Sequence, residues 1–158
     1  MKQSDRLNSE LSIRRAVVTD ANAVHDLTSK AYSKWVRLIG RKPLPMQVDY
    51  TQAIQDHDID LLFSEGILVG LIETVSSLES LLIENIAVHP DHQCKGYGGQ
   101  LLLHAEALAH AQNIQSLRLY TNKEFIQNIE FYRNQGYSVD REETLKPTII
   151  AVHMSKMI

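Results

Sequence analysis

The chain has 158 residues, 44% of them apolar and 22% charged, with a formal net charge of -3. That is a globular composition, long enough to bury a core and too apolar for a disordered chain. No basic block of the kind that binds nucleic acid occurs, no apolar run approaches the ~18 residues of a membrane span, and a single cysteine forms no internal disulfide. The first ten residues, MKQSDRLNSE, lack the apolar centre of a signal peptide. They are expected to be a flexible tail on a cytoplasmic protein that forms one domain over 1–158.

In chain order, Ser12 to Val18 reads as a first strand. Asp20 is placed to N-cap a helix reaching about Leu38, with Ala23, Leu27, Ala31 and Trp35 at i+4 steps on one face. Gly40 ends this helix, and Pro43 and Pro45 keep it from resuming at once. A short helix over about Gln47 to Gln55 follows. Ile59 to Phe63, Ile67 to Val75 and Leu81 to Val88 read as three strands, joined by turns short enough for antiparallel hairpins. Helical spacing covers Gln100 to Gln112, then come a strand at Ser116 to Tyr120 and a helix at about Lys123 to Gln135 stopped by Gly136. Two last strands fall near Tyr137 to Arg141 and Thr148 to Met154. The order β-α-α-β-β-β-α-β-α-β-β calls for an α/β fold with a mixed, mostly antiparallel sheet of seven strands and four helices on its faces.

Residues Ile86 to Gly99 (IAVHPDHQCKGYGG) run from an apolar strand through a Pro-marked turn into a glycine-rich loop before a helix. Gly96, Gly98 and Gly99 let the backbone bend tightly and approach a ligand, and a helix N-terminus beside them favours a phosphate. The P-loop pattern is absent, and the dinucleotide fingerprint fails because Leu101 stands where its third glycine would be.

The remaining hexapeptide, Gln93-Cys94-Lys95-Gly96-Tyr97-Gly98, resembles the [Q/R]-x-x-G-x-[G/A] pyrophosphate loop of the GCN5-related N-acetyltransferase (GNAT) superfamily, whose members use acetyl-coenzyme A. The resemblance extends from about Ile13 to the C-terminus. It includes a second block, Leu117 to Tyr137, which carries a Tyr-x-x-x-Gly-[Phe/Tyr] signature as Tyr132 to Tyr137. What it implies is a fold whose central strands splay apart beyond the fourth strand and admit the cofactor. Pantetheine would then hydrogen-bond along Ile86, Ala87 and Val88, with the Val88 N–H toward the thioester oxygen. The pyrophosphate would rest on backbone N–H groups from Cys94 to Gly99, with Gln93 and Lys95 nearby. Tyr132 would point its hydroxyl at the coenzyme sulfur and protonate the leaving thiolate.

Strand alternation puts Leu82, Glu84, Ile86 and Val88 on one face, so a carboxylate interrupts an apolar row. Glu84 is thus a candidate base for the attacking amine, in line with the acid that the resemblance implies at this strand position. Glu73, on the neighbouring strand, is a second acid able to share the cleft. Two departures from the family pattern are Cys94, where many members have Gly, and Phe125, where many have a cofactor-binding Asn. Asn128 and Asn122 are candidate replacements for that amide. By the resemblance the acceptor pocket is closed by Tyr32 to Tyr50, where Tyr32, Trp35 and Tyr50 are candidate lining residues and Asp49 a candidate ammonium contact. His89 and His92 flank Pro90-Asp91 with no third ligand nearby, so no metal is expected. The implied activity is transfer of acetyl from acetyl-CoA to a primary amine of a small molecule by direct attack. The alternatives are acetylation of a protein N-terminus or lysine, and a non-catalytic acyl-CoA-binding module. Neither nucleic acid nor membrane is an expected partner, and a homodimer is compatible with the reading.

Overall fold

The computed structural model describes residues 11–158; the expectation for the first ten residues lies outside them. Seven strands form one sheet, β1 (Leu11–Arg15), β2 (Asp58–Ser64), β3 (Ile67–Ser76), β4 (Leu81–Val88), β5 (Ser116–Asn122), β6 (Ser138–Lys146) and β7 (Ile149–Met157). Four helices flank it, α1 (Ala21–Ile39), α2 (Tyr50–Asp56), α3 (Tyr97–Ala111) and α4 (Ile126–Asn134). The sheet order is β1-β2-β3-β4-β5-β7-β6, and every neighbouring pair is antiparallel except β4 with β5. Among the described residues no helix is long and apolar enough to cross a membrane.

Both faces of the sheet are covered, which is why β3 is buried without interruption from Val69 to Thr74. One face packs Leu62, Val69, Ile72 and Leu117 against Leu101, Leu102 and Ala105 of α3. The other packs Ile59, Leu61 and Leu71 against Val24, Leu27 and Ala31 of α1 and Ala53 of α2. α1 ends as expected at Gly40, whose φ of 70° is left-handed and whose N–H bonds the Val36 carbonyl. At the other end the expected cap is not made. The Asp20 carboxylate instead takes a bidentate pair of hydrogen bonds from Arg14 and another from the Val17 N–H.

Two local features shape the centre. β4 and β5 pair only over Leu81–Leu117, Leu82–Arg118 and Ile83–Leu119, so β4 continues to Val88 with that edge open. The register with β3 passes from Glu73↔Asn85 to Thr74↔Ile83, which leaves Glu84 as the extra residue of a β-bulge. The bulge inverts the strand: Leu81 and Ile83 join the α3 face before it, whereas Ile86 and Val88 do so after it and Ala87 turns toward α1. The expected single row of Leu82, Glu84, Ile86 and Val88 is therefore broken at Glu84, because simple alternation holds only in an unbulged strand.

A hydrogen-bonded cluster around one buried carboxylate ties the α3 face to the β1 edge. Asp60, 4% exposed on β2, accepts from Arg15 Nε at 2.7 Å and lies 2.9 Å from His104 Nε2 of α3. Burial raises its pKa, but hydrogen bonds from His104 and Arg15 outweigh that and hold the carboxyl below its ordinary value of 3.8. The stabilisation is therefore fully present above the unfolded-state pKa and is lost as pH falls through the folded value. Asp60→Asn is expected to lower unfolding free energy by about 1–3 kcal/mol at neutral pH, and to flatten the acid limb of stability followed by urea titration.

Candidate active site

Two cavities meet at Tyr32, which lines both, and each borders a different stretch of β4. The first, a cleft of about 480 Å³, is lined by Ile86, Ala87 and Val88, by the loop from His92 to Gly99 except Lys95, and by Asn128, Phe131 and Tyr132 of α4. The second, about 170 Å³, is lined by Glu73, Glu84, Asn85 and Tyr120 from the sheet. Pro43, Leu44, Pro45 and Val48 of the α1–α2 connection roof it.

The first cleft has the features of an anion site. α3 begins at Tyr97, earlier than its expected start at Gln100, with Gly96 at φ 83° as its N-cap. The glycines thus divide their work: Gly96 makes the left-handed turn, while Gly98 and Gly99 lie inside the first helical turn. A Cβ on Gly98 would come 2.9 Å from Phe131 Cζ, so packing against α4 demands glycine there. The free N–H groups of that turn and the positive end of the helix face the cleft. Cys94, exposed and at φ 62°, occupies a left-handed position, which accounts physically for the glycine common there in the family. Gln93 lines the cleft and ties the loop to the end of β4 by donating from Nε2 to the Val88 carbonyl at 3.1 Å. Lys95 is exposed and does not itself line the cleft, although it stands between Cys94 and Gly96, which do.

The open edge of β4 supplies a second binding element. His89 donates its N–H to Val69 on β3. Since backbone groups of successive residues alternate in direction, the N–H groups of Val88 and Ile86 point to the other edge, where β5 no longer pairs. An amide-bearing chain can add there like a strand. Tyr132, 6% exposed, lines the same cleft, and burial alone raises its phenol above the ordinary value of 10.0. It therefore carries its proton at neutral pH and is able to donate it.

Trp35, expected near the acceptor, lines the first cleft and not the second cavity. Its ring stacks on Phe125 at 4.3 Å between centroids and 16° between planes, and Phe125 lines the acceptor cavity. The stacked pair thus has one ring on each cavity, which gives the unusual Phe125 a packing role. Of the two candidate amides, Asn128 lines the cleft and Asn122 does not. Asn122 lies on the acceptor side, and its Oδ1 accepts from the Glu124 N–H ahead of α4. Asp49 lines neither cavity. Its carboxylate is committed to the N-terminus of α2, where it accepts from the Thr51 and Gln52 N–H groups.

Tyr32, Tyr50 and Glu73 all line the second cavity. Two further residues there escaped the sequence reading. Tyr120 donates to Glu84 Oε1 at 3.0 Å, and burial, followed by the Glu84 charge, pushes its phenol up to about 12. Asn85, 4% exposed, accepts from Tyr32 at 3.0 Å and sends its Nδ2 toward Tyr50 at 3.3 Å and Thr28 at 3.4 Å. Tyr50 in turn donates to the Pro45 carbonyl at 2.7 Å. This network ties the bulge to α1, α2 and the roof. Strand alternation carries a signal for both: Tyr120 falls on the face opposite Leu117 and Leu119, and Asn85 interrupts the apolar row Leu81, Ile83 and Ala87.

Residues 56–139 match the family model of the acetyltransferase (GNAT) domain. The chain belongs to the GNAT family of acetyltransferases. Within the curated proteins it is 32% identical over 81 residues to the uncharacterized protein YxbD of Bacillus subtilis (strain 168). That match covers 51% of this chain and spans half the length of the relative, 50%. Solved GNAT structures share the fold along almost the whole chain. The PaiA N-acetyltransferase of Thermoplasma acidophilum, in complex with coenzyme A, is 18% identical with a TM-score of 0.73, covering 94% of this chain and 99% of its own. The ribosomal-protein-S18-alanine N-acetyltransferase of Escherichia coli is 20% identical with a TM-score of 0.76, covering 94% of each chain. A GNAT acetyltransferase of Elizabethkingia anophelis with acetyl-CoA bound is 16% identical, covers 94% and 99%, and has a TM-score of 0.71.

Coenzyme A and acetyl-CoA are expected to raise the melting temperature of this GNAT protein, and NAD and ATP are not, because only the former offer both a pyrophosphate and a pantetheine strand. Gly98→Val should remove that shift by forcing Phe131 into the cleft. Iodoacetamide labelling of Cys94, followed by mass spectrometry, should slow in proportion to coenzyme A occupancy.

Proposed function

We propose that the protein transfers the acetyl group of acetyl-CoA to a primary amine of a small molecule by direct attack. The observation that carries this reading is the junction of the two cavities at Tyr32, with Tyr132 on one side and Glu84 on the other. The amine nitrogen forms a bond to the thioester carbonyl carbon, and the carbon–sulfur bond then breaks. Glu84 takes the proton that the nitrogen sheds, directly or through water, and Tyr132 protonates the departing thiolate. The Val88 N–H on the open edge is the donor proposed for the oxyanion. Pantetheine lies along Ile86 to Val88 and the pyrophosphate against the Gly96–Gly99 turn, with Asn128 as an added amide contact. Cys94 belongs to the phosphate end of the cleft, so no acyl-enzyme is invoked.

Solved relatives do not select an acceptor, since they include a nourseothricin acetyltransferase as well as the ribosomal-protein-S18-alanine N-acetyltransferase. The roof does favour one. Pro43, Leu44, Pro45 and Val48 cover the acceptor cavity, and the Tyr50 bond to Pro45 pins them to α2. The small volume of this cavity, about 170 Å³, and its apolar proline-rich wall suit a small amine.

Thiol release measured with acetyl-CoA and an amine panel tests the reading. Tyr132→Phe should leave acetyl-CoA affinity within a few-fold and lower kcat by roughly 10- to 10³-fold. Glu84→Gln should depress kcat and alter the acidic limb of the pH–rate profile. Unchanged kcat in both variants would contradict the assignment.

A further inference from the structure

Glu73 is the most deeply buried carboxylate on the acceptor cavity, 3% exposed. It comes from β3, so it lies on the side of β4 away from the splay with β5. Its Oε1 has no hydrogen-bond partner among the described residues, and neither has Nδ1 of His57, which faces it at 3.6 Å and also borders the cavity. Buried polar atoms left in this way cost free energy that a ligand donor recovers on binding. His57 faces Glu73 directly, and Glu84 and Arg41 border the same cavity. The β3 end of the cavity is therefore acidic and incompletely paired.

We infer that Glu73 and His57 form a subsite for a second nitrogen of the acceptor, which makes the substrate a short diamine or an amine carrying a second ammonium group. This inference rests on the acetyl-transfer reading above. Glu84 is two residues from Ile86 on the cofactor-facing strand, so the reacting nitrogen belongs beside it. Glu73 stands one strand further out. Neighbouring strands are about 4.8 Å apart, and the nitrogens of an extended three-carbon diamine are roughly 5 Å apart by ordinary bond lengths. One nitrogen attacks while the other donates to Glu73, and the apolar roof covers the carbons between them.

The test compares trimethylenediamine with butylamine, in which a methyl group replaces the second ammonium at the same chain length. With the full chain and acetyl-CoA, kcat/KM should favour the diamine by roughly tenfold or more, mostly through KM, as expected for a hydrogen bond to a charged group. Glu73→Gln should bring the two amines to within about threefold of each other, while retained stabilisation by coenzyme A reports that the variant is folded. Should that variant not fold, His57→Gln is read in its place and should also shrink the ratio. Equal kcat/KM for the two amines in the wild type, or a preference that survives the substitution, overturns the subsite and leaves acetyl transfer standing. If neither these amines nor any other in a panel is acetylated although acetyl-CoA binds, the acetyl-transfer reading fails. Calorimetry of trimethylenediamine with the coenzyme A complex then decides the subsite, and the absence of Glu73-dependent binding overturns it.

Discussion

The early end of the β4–β5 ladder is the constraint on which the rest of the molecule depends. Parallel pairing covers Leu81 to Ile83 on β4 and stops, although β4 runs on to Val88 and β5 to Asn122. A strand edge left open inside a covered sheet exposes backbone donors and acceptors that must find partners. Water or an amide-bearing ligand satisfies them, and the cleft beside Ile86 to Val88 is shaped by that demand. Trp35 stacked on Phe125 then bridges the two cavities beside it, in keeping with the proposal that one takes the cofactor and the other the acceptor.

The bulge at Glu84 is the second consequence. Without it, the residues that follow would face the wrong layers: Ile86 and Val88 would leave the α3 core, and Asn85 would not meet Tyr32, Tyr50 and Thr28. One inserted residue thus sets the carboxylate at the junction and anchors the roof through Asn85, Tyr50 and Pro45. The roof connection is rich in proline, which limits its unfolded freedom and leaves the Tyr50 bond to fix its position.

Much of this was legible in the sequence because periodicity and punctuation are local. The strands at Ile67 and Leu81, the stop at Gly40 and the glycine turn at Gly96 follow from apolar alternation and backbone freedom alone. The start of α3 was misplaced because glycine is a poor helix former, and only contact with Phe131 shows why Gly98 sits inside a helix. Side-chain destinations were harder. Trp35 was assigned to the acceptor on its type, yet its partner Phe125 is distant in sequence. Asp49 looked like a free acid but caps α2, and Asn122 was spent on a turn ahead of α4. Asn85 breaks an apolar row of its strand, but its role is visible only from Tyr32, Thr28 and Tyr50, which are distant in sequence.

The central claim is that the unpaired edge of β4 is the cofactor's binding strand. Residue-resolved amide hydrogen exchange tests it most directly. Saturating coenzyme A should slow exchange at the Ile86 and Val88 N–H groups, whereas ADP, which has a pyrophosphate but no pantetheine arm, should leave both unchanged. Exchange at these two amides that coenzyme A does not slow would contradict the account.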